Sequence, residues 1–253
     1  MCIILSCERG ARPSFELVDN CFWHNPDGAG LMWHECGAVQ IAKGFTDSCE
    51  LFTAIEAAPL DSPLVIHMRI ATSGGVDVGT CHPFPICDDL DSLHAPNVEC
   101  SAALAHNGII IGMRTDDARG ISATVAFVAG QVAPMWREDG IVTRRMRERI
   151  RLAAPRNRFA IMNADGDVYR IGSGWETVTR GIYASNDTWR DMGLFYGLDD
   201  EYRESLFDDG YRDTLEYLCG DCCGIDWCAK HGALCDGIDE AATNGGYTGF
   251  FDI

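Results

Sequence analysis

Four short segments carry residue types that could do chemistry together. Cys2 follows the initiator Met, and a small residue there is the situation in which Met1 is expected to be removed. The mature chain would then begin with a cysteine whose own α-amine lies beside its thiol. An α-amine titrates near ~7.7–8.0 and a thiol near ~8.5, so the amine is matched to act as base toward the thiol. Taken singly, Cys2 also reads as a strand cysteine. The run His67-Met68-Arg69-Ile70-Ala71-Thr72-Ser73-Gly74-Gly75 sets a cation before a small-residue loop, with Cys81-His82-Pro83-Phe84 soon after. Arg69 there could grip a carboxylate through two parallel hydrogen bonds, or be a surface charge. In His106-Asn107-Gly108, an Asn amide and the Gly backbone N–H could converge on one oxygen, as an oxyanion hole requires; the same tripeptide also makes an ordinary turn. Asn25-Pro26-Asp27-Gly28-Ala29-Gly30 is a turn-rich entry into the apolar Leu31-Met32-Trp33.

The elements that would position these residues read mainly as strands. Short apolar runs bounded by Gly, Pro, Asn or Asp occur at Ile3–Ser6, Gly30–Trp33, Leu64–Arg69, Ala103–His106, Phe159–Asn163, Val168–Ile171 and Ile182–Ser185. Ala164-Asp165-Gly166 marks a hairpin between Arg158–Asn163 and Asp167–Ile171. Apolar residues at three-to-four spacing predict helices over Cys49–Ala58, Ile121–Gln131 and Thr143–Leu152. The mixture suggests sheets covered by helices.

Charge and cysteine divide the chain. The 253 residues include 38 Asp+Glu and 20 Lys+Arg, a formal charge of -18. Residues 199–253 hold 14 of the acidic and 3 of the basic residues, and five of the 13 cysteines. A main domain over 2–198 and an acidic, Cys-rich tail over 199–253 are therefore expected. The negative charge makes nucleic acid an unlikely partner and disfavours anionic membranes. No stretch approaches the ~20 apolar residues of a membrane span. The odd cysteine count and the absence of a leader-like start suggest a reducing, cytoplasmic setting. In the tail, Cys219, Cys222, Cys228, His231 and Cys235 offer ligands for a structural zinc ion, with reduced cysteines or disulfides as the alternatives. Arg144, Arg145, Arg147, Arg149, Arg151, Arg156 and Arg158 form the one basic stretch, read either as a solvated face neutralised by the acidic tail or as a docking face.

Taken in order, Cys2, Asn25-Pro26-Asp27-Gly28-Ala29-Gly30, His67 to Gly74, His82-Pro83-Phe84 and His106-Asn107-Gly108 resemble the class II glutamine amidotransferase domain of the N-terminal-nucleophile (Ntn) hydrolases. Gly181-Ile182-Tyr183-Ala184-Ser185-Asn186 resembles the late Ser-Asn strand of its smaller members, so the resemblance covers roughly 2–190. It implies an α/β (α+β) fold, a four-layer αββα sandwich with a small Cys-rich C-terminal appendage. It implies Cys2 as nucleophile on a glutamine side-chain amide, Asn107 and Gly108 as the oxyanion hole, and Arg69, Thr72, Gly74 and His106 around the substrate. No cofactor would be needed for catalysis. The implied partners are glutamine or another γ-glutamyl small molecule, and a separate synthase that accepts the ammonia. One departure matters: where the family usually places an acidic residue for the substrate α-ammonium, this chain has Ile121-Ser122-Ala123-Thr124. Asp116 or Asp117 could substitute. Loss of a charge-assisted contact worth ~1.5–3 kcal/mol would weaken glutamine binding or indicate a different γ-glutamyl substrate. The rival readings are a stand-alone γ-glutamyl hydrolase on the same fold and a catalytically idle binding subunit.

Overall fold

The computed structural model describes residues 2–70 and 77–190, together with the backbone of 227–228 and 233–234. The chain divides into two compact units, Met1–Phe195 and Tyr196–Ile253. In the second unit Trp227–Cys228 pairs antiparallel with Ala233–Leu234.

The first unit is a mixed α+β structure built on two antiparallel sheets. Its larger sheet begins with β1 (Ile3–Cys7), an unbroken apolar run buried along its whole length, as a strand covered on both faces must be. β1 lies between β4 (Leu64–Met68) and β11 (Ile182–Ala184). β2 (Ala29–Glu35), β3 (Ala38–Phe45) and β6 (Asn97–Cys100) continue outward from β4, and β10 (Glu176–Thr179) closes the other edge. The smaller sheet has the order β5 (Phe84–Pro85), β7 (Ala102–Asn107), β8 (Arg158–Asn163) and β9 (Val168–Ile171). The expected hairpin joins β8 to β9: Gly166 N–H bonds Asn163 O at 2.9 Å, and the Asn163 side chain accepts from Asp167 N–H at 2.8 Å.

The sheets meet through complementary side-chain sizes. Ile4, Met32, Val39, Ile41 and Val65 of the larger sheet pack against Ala103, Ala105, Ala160 and Met162 of the smaller. The small alanines leave room for the bulkier partners. The other face of the smaller sheet carries Phe84, Leu104, Phe159 and Ile161, which pack against Val125, Phe127, Met146 and Ile150 of the helices that follow β7. On the larger sheet, α2 (Ser48–Ala57) rests on β2 and β3, with α1 (Phe15–His24) beside it, and the short α3 (Leu90–His94) lies against β5.

Helix limits follow from caps. Asp47 accepts from the N–H groups of Cys49 and Glu50 at 2.8 and 3.0 Å, which starts α2 at Ser48. Ser14 caps α1, whose buried Phe15, Val18, Cys21 and Phe22 share one face. The helix expected over Ile121–Gln131 is longer and less regular. It runs from α4 (Ala123–Phe127) through a π turn at Val128–Val132 into α5 (Ala133–Asp139). Pro134 would ordinarily stop a helix. Here Ala133 N–H reaches back to Val128 O, and the widened turn carries the chain past the proline. α6 (Arg144–Ala153) follows.

No disulfide joins the eight cysteines of the described residues. Burial pushes the Cys7 thiol up to about 12 and raises that of Cys21 as well, which suits core packing and not reactivity. Among the described residues no helix is long and apolar enough to cross a membrane.

Candidate functional site

Strand register brings the first chemical residues into line. Ile3 pairs with Met68, and Met68 pairs with Ala29, so Cys2, Arg69 and Gly28 stand side by side at the ends of β1, β4 and β2. The half-buried Cys2 Sγ lies 3.5 Å from Ile70 O. Arg69 N–H bonds Gly28 O at 2.9 Å, and Asp27 N–H bonds Arg69 O at 3.0 Å. The turn-rich segment 25–30 thus clamps the backbone at Arg69. The Arg69 side chain is buried and donates to Thr80 Oγ1 at 2.8 Å. Thr80 itself is tied to the Asp77 carbonyl at 2.8 Å, which fixes the direction of the guanidinium. Gly30 is required by close approach: a side chain there would meet His82 O and the stem of buried Lys43.

A second strand end supplies Asn107 and Gly108. Asn107 is 2 % exposed and donates through Nδ2 to Ser185 Oγ at 2.8 Å. The same hydroxyl accepts from Ile4 N–H at 2.9 Å, and Ser185 N–H returns a bond to Ile4 O. One serine therefore ties the end of β7 to the strand that begins beside Cys2. Next to it, Asn186 Nδ2 donates to Cys2 O at 2.8 Å and holds the cysteine backbone in place. An Asn amide nitrogen carries two hydrogens, so Asn107 keeps a second donor beyond the one given to Ser185. Gly108 has φ +137°, a conformation L side chains rarely adopt, and a side chain there would collide with Asn157.

Asn157 is the residue the sequence reading overlooked. Its Oδ1 lies 2.8 Å from His106 Nε2, and its Nδ2 donates to Ile109 O and Pro155 O at 3.2 Å each. It thus touches both flanks of Gly108. The signal in sequence was slight: an Asn before the strand Arg158–Asn163, some fifty positions from its partners. The pairing of Asn107 with Arg158 brings it there.

His106 is buried and bonded on both ring nitrogens, with Nδ1 2.9 Å from Thr124 Oγ1 and the ring stacked on Phe159. It supports the Gly108 turn from behind. His67 and His82 complete an inner group, with centroids 4.2 Å apart and His82 6.0 Å from His106. Burial, followed by mutual repulsion with the other histidines, drives the His67 imidazolium pKa down to about 3 and that of His82 well below its ordinary value. Burial likewise lowers His106 to about 4. All three rings are neutral at physiological pH.

Ala123 is the first residue of α4, just after the cap Ser122, whose hydroxyl accepts from Val125 N–H at 3.2 Å. Asp116 and Asp117 are exposed on the turn before it. Thr72 and Gly74 lie outside the described residues, as do Cys219, Cys222, His231, Cys235 and the side chain of Cys228. Among the described residues no group of three or more His, Cys, Asp or Glu side chains could hold a metal ion. The chain matches no model of a known protein family and no characterised protein.

Proposed function

We propose that this chain is an N-terminal-cysteine amidohydrolase of the class II amidotransferase type, on the four-layer αββα plan of the Ntn hydrolases. It would open the side-chain amide of glutamine or another γ-glutamyl compound. The observation that carries the reading is the bridge from Asn107 through Ser185 to Ile4, which sets an amide donor and the Gly108 turn at the strand beginning beside Cys2.

With Met1 removed, the Cys2 amine takes the thiol proton and the thiolate attacks the amide carbon. The second Nδ2 hydrogen of Asn107 and the Gly108 N–H bind the oxyanion. Arg69 pairs with the substrate α-carboxylate. The intermediate collapses as the amine returns its proton to the leaving nitrogen, so ammonia departs and a γ-glutamyl thioester remains. Water, deprotonated by the same amine, cleaves the thioester, releasing glutamate and restoring the thiol. His106, expected around the substrate, is buried with both ring nitrogens bonded, so in this reading it holds the Gly108 turn together with Asn157. In the amidotransferase form of the reading, the ammonia passes to a synthase on another protein.

Ala123 favours a second form, a stand-alone γ-glutamyl amide or peptide hydrolase. A methyl at the start of α4 supplies no carboxylate for an α-ammonium. Glutamate release from glutamine and from a set of γ-glutamyl dipeptides separates the two forms. Retention of full hydrolysis by Cys2→Ala, or of Met1 in the intact mass of active protein, would refute the mechanism.

A further inference from the structure

The arginine helix α6 is built against its own electrostatics. Met146 and Ile150 are buried on its inner side, yet five of its ten residues are arginines and its first turn holds no acid. A helix N-terminus carries partial positive charge, so Arg144 and Arg145 oppose the dipole. Arg145 and Arg149 are one turn apart and repel, as do Arg147 and Arg151. Glu148 relieves only part of this, bound by Arg151 at 2.6 and 3.0 Å. Among the described residues Arg145 and Arg149 are exposed and have no ion-pair partner.

Three further features mark the same place. Arg149 and the 64 % exposed Leu152 line a cleft of about 330 Å³ whose other wall is Gly130, Gln131, Pro134 and Met135. That wall includes the π turn, a distortion often found at functional sites. Gly130 stands in a helical turn, where glycine costs ~1 kcal/mol against alanine, although a side chain there would meet nothing within 4 Å. The arginine pair and Gly130 are local choices that the fold does not need, and gathered on one cleft they are the mark of a binding surface.

We propose that this cleft docks an acidic segment of a partner protein, with apolar side chains in the cleft and carboxylates on Arg145 and Arg149. The apolar lining suits a peptide better than a sugar-phosphate chain. A membrane-surface helix would also need an outward apolar face, whereas α6 turns Met146 and Ile150 inward. This inference does not depend on the proposed activity.

The test uses the full chain and a labelled helical peptide of about sixteen residues, with leucines every three or four positions among glutamates. The controls are an all-glutamate peptide, a single-stranded oligonucleotide of equal charge and phosphatidylserine vesicles. The glutamate–leucine peptide is expected to bind most tightly and to weaken as salt rises. The double change Arg145→Glu/Arg149→Glu should cut its affinity at least tenfold with Tm nearly unchanged, since one like-charge pair replaces another; the unchanged Tm shows that the variant still folds. Gly130→Leu, which fills the cleft, should weaken the peptide but not the all-glutamate control. The proposal fails if no peptide binds, if a control binds as tightly as the peptide, or if the double change leaves the affinity unchanged.

Discussion

Around Gly108 the polar side chains are buried and largely bonded to one another, whereas along α6 Arg145 and Arg149 stand in solvent without an ion-pair partner among the described residues. His106, Asn157, Asn107 and Ser185 come from three separate stretches of chain and form two bonds of 2.8 Å. In a low-dielectric interior such bonds are strong and an unmade one is costly, so the network fixes one geometry. Arg147 leans over the Tyr169 ring, but the exposed Arg145 and Arg149 fix nothing internal, and water screens them. Polar residues that hold a shape and polar residues that await a partner are thus distinguished by burial and pairing, not by type.

Several substitutions would break or sharpen this contrast. The largest expected effect is on activity: Cys2→Ala should lower glutamate release by on the order of 10⁴-fold or more, with Tm nearly unchanged, because the thiol makes only one weak contact. Asn107→Ala should lower kcat by about 10²–10³-fold through loss of one oxyanion donor, measured as steady-state hydrolysis. A smaller KM change than kcat change would separate oxyanion binding from substrate binding.

The buried histidines give the interior a pH signature that the arginine face lacks. Unfolded, each takes a proton near pH 6.5; folded, His106 refuses it until about 4 and His67 until about 3. Stability is therefore full above about pH 6.5 and falls as pH drops toward 4, by up to ~1.4 kcal/mol per pH unit for each ring. Denaturant midpoints between pH 7.5 and 5 would measure the fall, and a flat profile would mean the rings protonate in the folded state.

Asn157→Ala should cost about 1–3 kcal/mol, because it strips a buried ring nitrogen and the Ile109 carbonyl of partners, and it should also slow turnover by loosening Gly108. The smallest expected effect lies on the other side of the contrast: Arg145→Glu/Arg149→Glu should leave glutamate release unchanged. A loss of turnover there would join the two regions that the structure keeps apart in chemistry.

Much of the scaffold was legible because its signals are local. The apolar run Ile3–Ser6, the Asp-Gly turn after Asn163 and the periodicity of Thr143–Leu152 each reflect a rule acting within a few residues, and β1, the β8–β9 hairpin and α6 lie there. α1 was missed although Ser14 and the spacing of Phe15, Val18, Cys21 and Phe22 announce a capped amphipathic helix. β3 was missed because lysine and glutamine interrupt its apolar residues; Lys43 is nonetheless buried, its ammonium bonded to the carbonyls of Gly79 and Leu93. The helix expected over Ile121–Gln131 stops short of Pro134, which lacks an amide donor, and only the π turn shows how the chain continues as α5.

The sequence by itself determined the candidates: a cysteine at position 2, an arginine before a small-residue loop, an Asn-Gly pair, and an arginine run in an acidic chain. Only the tertiary structure decided which of them meet. Strand register aligned Cys2 with Arg69, and the β7–β8 pairing carried Asn157 to Gly108. The chain's return through β11 set Ser185 between Asn107 and Ile4. The physical reason is separation along the chain. A cap or a turn is fixed by neighbours a few residues away, but a bond between residues 107 and 185 exists only after two sheets have been assembled and packed.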